Sequence, residues 1–172
     1  VDIFFRLGHI KLKLGERTKA VNMFEKALEI HPGHRATLHA LVDLYAEAGD
    51  FEAVIKQKRA LMAAAATTPD EKFTISEEIA AIYKDKLANP QKAIAAHLEA
   101  LTFKPNDRQL LHDLLELFSE TKQWKKATEI LAKLAELETG KVKARYLVAA
   151  GNIANYELHS TDEAVELYNQ AL

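Results

Sequence analysis

One stretch of the chain recurs. Ala20-Val21-x-x-Phe24-x-x-Ala27-Leu28-x-x-x-Pro32 returns as Ala93-Ile94-x-x-His97-x-x-Ala100-Leu101-x-x-x-Pro105, and again as Ala164-Val165-x-x-Tyr168-x-x-Ala171-Leu172. Residues at i, i+4 and i+7 of a helix share one face. Two alanines there admit a neighbouring helix closely, and the bulky side chain between them fills the remaining space. The spacing is a packing instruction rather than a chemical one, and it commits the chain to helices stacked in recurring units.

Composition narrows the function classes. The 172 residues suit a single domain, and 48% hydrophobic with 28% charged residues are ordinary globular values. A formal charge of −2 argues against generic polyanion binding, so no nucleic-acid partner is expected. No apolar run is long enough to cross a bilayer, which removes membrane insertion, and no signal-peptide pattern opens the chain. The absence of cysteine removes disulfides, thiolate catalysis and Cys-based metal sites. It does not decide the compartment, for which the cytoplasm is only a default. Val1 in place of an initiator Met, and a third copy that stops before its Pro, suggest a segment of a longer protein.

Along the chain the stretch falls into helix pairs. Phe4, Leu7, Gly8 and Leu12 make a first apolar stripe, broken at Gly15-Glu16, before Ala20–Ile30 and His31-Pro32-Gly33. Leu38, Leu41, Val42 and Tyr45 repeat the stripe, and Gly49-Asp50 turns the chain into a helix extended through Ala63–Ala66. Thr68-Pro69-Asp70-Glu71 reads as a capping box that starts an early, long helix through Ile75, Ile79 and Ile82. Asn89-Pro90 starts the next helix in the same way. Leu111, Leu114, Leu115 and Phe118 precede Trp124, Ala127, Leu131 and Leu134. Leu147, Gly151 and Ile153 precede a capping signal at Ser160-Thr161-Asp162-Glu163.

Phe4-x-x-Leu7-Gly8 with Ala20-x-x-x-Phe24 and Pro32 resembles the tetratricopeptide repeat, a helix–turn–helix unit of about 34 residues. Val54 and Ala127 fall on the same period, while Lys58 departs from the aromatic expected there. Five such copies, about 1–34, 35–72, 73–107, 108–143 and 144–172, cover the chain as one domain. The resemblance implies an all-α, right-handed superhelical solenoid of about five stacked antiparallel helix pairs.

Catalytic constellations are sparse. His39 with Asp43 and His112 with Glu116 are i,i+4 pairs, conceivable as acid/base or metal pairs but more simply read as solvated helix faces. No His-Glu-x-x-His, Gly-x-Ser-x-Gly or Gly-rich phosphate loop appears. No enzyme, metal or cofactor is expected. Trp124, Tyr83, Phe118 and Phe24 read as interhelical core rather than a base-stacking platform. Leu61, Met62 and Ala63–Ala66 read as a packed helix end rather than an exposed anchor.

By resemblance, the first helices line a concave groove that holds a partner's peptide or helix. One subgroup clamps a C-terminal carboxylate with Lys, Asn and Arg. The aligned residues here, Phe5, His9, Ala40, Thr74 and Glu78, do not match it, nor do His39 with Asp43 or Glu77 with Ala81 in shifted registers. The expected peptide-binding groove comprises His9, Lys13, His39, Asp43, Glu47, Glu77, Lys84, His112, Asp113, Glu116, Glu120 and Asn152. Aligned inward positions include Asp2, Asp43, Glu47, Glu77, Asp85, Asp113, Glu116 and Glu120 against Lys13, Lys84 and Arg145. That face carries about −5 while the chain totals −2. A basic peptide or amphipathic helix is one reading, and an acidic face that merely keeps the groove soluble is the other. The functional expectation is a protein-interaction scaffold, with a regulatory or substrate-presenting arm of an enzyme as the alternative. Exposed terminal helices would also permit end-to-end self-association.

Overall fold

A computed structural model describes residues 1–172. It contains ten α-helices and no strand. They are α1 (Asp2–Lys13), α2 (Arg17–Ile30), α3 (Arg35–Ala48), α4 (Phe51–Ala63), α5 (Pro69–Ala81), α6 (Pro90–Phe103), α7 (Arg108–Glu120), α8 (Trp124–Glu136), α9 (Gly140–Tyr156) and α10 (Thr161–Gln170). A π-helical segment, Ile82–Lys86, continues α5. The chain divides into two compact units, Val1–Ala88 and Asn89–Leu172, and within each unit helices pack against their neighbours in sequence.

Local chemistry sets the boundaries. Asp50, Asn89 and Asp107 accept the backbone N–H of the third residue of α4, α6 and α7, satisfying donors that a helix start leaves free. The Thr68–Glu71 capping box forms as read from the sequence, with Pro69 opening α5. Ser160 occupies the N-cap of α10, but its side chain makes no capping bond.

The expected extension of α4 through Ala66 does not occur. The helix stops at Ala63, and residues 64–67 turn away. Thr67 supplies the reason: it is buried, and its hydroxyl donates to the Leu61 carbonyl at 2.6 Å. That bond occupies one of the acceptors a helix end leaves free. Leu61 and Met62 are buried, as a packed helix end requires.

In the unit Val1–Ala88, Ala20, Phe24, Leu41 and Leu44 form a core, with Phe5, Leu12, Val21, Leu28 and Tyr45 packed against it. A Cβ on Gly8 would overlap the Phe24 ring, so only glycine lets α1 approach α2 this closely. In the unit Asn89–Leu172, Gly151 of α9 does the same for Tyr168 of α10, where a Cβ would lie 2.6 Å from the ring. Ala20, Ala93, Ala127 and Ala164 are all buried, as the recurring spacing demands. Phe24 and Phe118 are fully buried; Trp124 and Tyr83 are half-buried.

Candidate functional site

On the first-helix side of the unit Val1–Ala88, a cleft of about 320 Å³ opens between α3 and α5. Arg35 and His39, one turn apart on α3, form one wall. Asp70, Glu71, Thr74, Ile75 and Glu78 of α5 form the other. Ile75 is buried and gives the cleft an apolar base; His39, Asp70, Thr74 and Glu78 are exposed.

The polar groups are held from several directions. Arg35 donates through Nη1 to Thr67 Oγ1 at 3.0 Å and through Nη2 to Glu71 Oε1 at 2.8 Å. Glu71 Oε2 also accepts the Thr68 N–H at 2.9 Å, so one carboxylate closes the α5 cap and fixes Arg35. The Thr68 backbone N–H, and then the Arg35 guanidinium, hold the Glu71 carboxyl below its usual range. Lys58 of α4 reaches Glu78 with Nζ–Oε2 at 2.6 Å. The cleft lining thus carries three carboxylates and one guanidinium, with His39 beside them. It suits ionic and hydrogen-bonding recognition and has no nucleophile held against a base. No group of three or more His, Asp or Glu side chains converges on a metal position, and no helix is long and apolar enough to cross a membrane.

The other expected groove residues are distributed. His9 packs edge-on against Phe5 and Phe24, with ring centroids 4.6 and 5.3 Å away. Glu47 is tied to Arg17 at 2.6 Å. Lys13 and Asp43 are exposed on α1 and α3, while Glu77 and Lys84 are half-buried on α5 and the π segment. None of these lines the α3/α5 cleft, whereas His39 does.

In the unit Asn89–Leu172, His112 meets Tyr146 of α9, with its Nε2 3.0 Å from the phenol oxygen. Half-buried Asp113 accepts from Gln109 at 3.0 Å, and exposed Glu116 and Glu120 follow it along α7. Asn152 accepts the Tyr168 hydroxyl at 2.8 Å and lines a hollow on α9 with Arg145 and Val148.

Arg35, Asp70, Glu71 and Ile75 are absent from the expected groove, and Thr74 and Glu78 entered only as positions of the clamp. The signal for them was present. The capping box fixes the start of α5, and from Asp70 the i,i+4 stripe runs through Thr74 to Glu78.

Residues 11–70 match the family model described as tetratricopeptide repeat. The Protein CTR9 homolog of Arabidopsis thaliana is 43% identical over 56 residues, which are 33% of this chain and 5% of that protein. The chain therefore spans about 5% of that relative's length. A MamA AMB-1 structure superposes with a TM-score of 0.52 at 12% identity, covering 98% of this chain and 88% of that one. YrrB, described as a TPR protein with an unusual peptide-binding site, gives 0.49 at 16% identity, covering 98% and 82%. The MamA AMB-1 likeness speaks for the fold alone. The tetratricopeptide-repeat match thus covers residues 11–70 of the first unit, and the same helix-pair architecture recurs in the second.

Proposed function

We propose that the chain is a protein-interaction module whose first-helix faces bind a peptide or helix of a partner, one that carries Lys or Arg. The observation that carries this reading is the α3/α5 cleft, an apolar base rimmed by Asp70, Glu71 and Glu78, with Arg35 on Glu71 and Lys58 on Glu78 leaving the rim one carboxylate in excess. Helix-pair repeats leave such faces open because each pair buries only the surfaces its neighbours cover. Carboxylates concentrated on one face favour a ligand of opposite charge and speed its encounter. At the positions where the carboxylate-clamping subgroup carries bases on this helix, α5 presents Thr74 and Glu78. An acidic peptide end has little to hold it there. On α7, Asp113, Glu116 and Glu120 supply the corresponding acidic face of the second unit.

The test is binding of a Lys/Arg-rich peptide to wild type, to Glu78→Lys and to Glu116→Lys with Glu120→Lys, at two salt concentrations. Wild-type binding is expected to weaken as the screening length falls below about 10 Å at 0.1 M salt. Each charge reversal is expected to weaken it further. Equal binding by both reversed proteins refutes the reading.

The proposal extends to self-association through α1, where Ile3, Leu7, Ile10 and Leu14 form an exposed apolar stripe. Sedimentation of wild type and of Ile3→Glu with Ile10→Glu tests it: the variant is expected to be the smaller species, and identical profiles contradict it.

A further inference from the structure

The exposed apolar stripe of α1 has buried counterparts elsewhere in the chain. The register that sets Ala20 on Val54 sets Ile3, Leu7 and Ile10 on Thr37, Leu41 and Leu44 of α3. The register that sets Ala20 on Ala127 sets them on Leu110, Leu114 and Leu117 of α7. All six counterparts are buried, whereas Ile3 is 74% and Ile10 51% exposed. What covers them includes the helix before: α3 packs against α2, and α7 against α6.

The last helix presents the other side of that contact. The register that sets Ala164 on Ala20 sets Val165 on Val21 and Leu172 on Leu28, and both of these pack against the core that holds Leu41 and Leu44 of α3. On α6 the same two positions are Ile94 and Leu101, both buried. On α10, Val165 is 50% exposed and Leu172 fully so. The chain thus carries, uncovered, both faces of a contact that it makes internally at α2/α3 and again at α6/α7. Bringing two such faces together removes apolar surface from water.

Charge decides which face meets which. α1 carries Arg6, Lys11 and Lys13 against Asp2, while α10 carries Asp162, Glu163 and Glu166 and no basic residue. Lys11 is paired with Glu16 at 2.7 Å; Arg6 and Lys13 are exposed. They stand three residues after Ile3 and Ile10, beside the stripe, and Asp162 stands three before Val165. Two α1 helices, or two α10 helices, would bring like charges together; α1 on α10 brings opposite ones. We propose that the occupant of the α1 stripe is a second copy of this chain: Val165 and Leu172 of α10 in one copy dock on Ile3, Leu7 and Ile10 of α1 in the next, as α2 docks on α3. This rests on the reading of α1 as a self-association surface and names what that surface meets. The contact joins two different faces, so copies add head to tail.

Sedimentation velocity of the whole chain tests it with two variants, Ile3→Glu with Ile10→Glu on α1 and Val165→Glu on α10. All three positions are exposed, and circular-dichroism melts check the folding. Wild type is expected to associate as its concentration rises. Each variant alone is expected to need at least about tenfold more protein to do so, because a carboxylate enters an apolar contact. Mixed in equal amounts, the two variants are expected to form a dimer and nothing larger, since the intact α10 of one meets the intact α1 of the other. Raising salt is expected to weaken the wild-type contact by screening opposite charges. If Val165→Glu associates as wild type does while the α1 variant fails, α1 pairs with itself: the docking of α10 is overturned and α1 stands as an interface. Mixed variants that stay monomeric, or wild-type association that tightens with salt, also overturn the docking. A wild-type chain that stays monomeric overturns both.

Discussion

The pairs α1–α2 and α3–α4 follow the same spacing and fill it differently. In the first, Gly8 gives up its side chain so that the Phe24 ring can lie wholly buried between the helices. One repeat later, about 34 residues on, the same two positions hold Val42 and Lys58. The Lys58 side chain is 15% exposed, and its ammonium reaches Glu78 on α5. The stem fills space as a hydrophobe does, while the charge is carried out to the rim of the cleft. The comparison shows how much the spacing leaves free: Gly8, Ala20 and Phe24 of the first pair become Val42, Val54 and Lys58 of the second, so both the size at the crossing and the chemistry of the filling side chain vary. The first pair uses it for packing alone. The second connects its interior to the next repeat at the candidate binding face.

The largest effect expected from this contrast is at Gly8. Gly8→Ala forces the Phe24 ring aside, and overpacking of this kind costs about 1–3 kcal/mol. Urea unfolding measures it, and Phe24→Leu in the same chain should relieve part of the loss through coupling of the two sites. Gly151→Ala should behave likewise against Tyr168 in the second unit. At Lys58 the stem should matter more than the charge. Lys58→Ala is expected to cost about 1–2 kcal/mol through lost burial, and Lys58→Met less than about 1 kcal/mol. Equal losses for the two variants would mean that the Glu78 pair, not the stem, holds α4 to α5. Thr68→Ala removes the α5 cap and should cost about 1 kcal/mol.

The smallest effect is in pH. Because the folded protein holds the Glu71 carboxyl below its usual value, that carboxylate stabilises the fold above the ordinary Glu range, near pH 4.3. The contribution is lost as pH falls through the lowered value. Glu71→Gln should therefore flatten the acid limb of the stability curve below about pH 4.3 and leave its shape near neutrality unchanged. A thermal-melt series across that range reads the difference.

Much of the fold was legible because packing and capping leave periodic marks. The recurring alanines are buried, and the Thr68–Glu71 box starts α5 where its residues say it must. What escaped was decided by tertiary contact. Ala64–Ala66 favour helix locally, yet the Thr67 hydroxyl on the Leu61 carbonyl turns the chain away. Lys58 departs from the aromatic the repeat leads one to expect and is a bridge, because its partner Glu78 lies on another helix. The cleft was missed in part because Arg35, Asp70 and Glu71 sit in the first turns of α3 and α5, where an apolar stripe has not yet begun. His39, which lines the cleft, was named because it lies within a periodic segment.

The central claim is that the faces of the first helices, not the chain as a whole, select a basic partner. Backbone amide chemical shifts of isotope-labelled protein titrated with a Lys/Arg-rich helical peptide test it most directly. The account predicts shifts concentrated on Arg35, His39, Thr74 and Glu78 in the first unit and on Asp113, Glu116 and Glu120 in the second, fading as salt is raised. Shifts confined to α2, α4 and α8, or a first-helix pattern that persists unchanged in high salt, would contradict it.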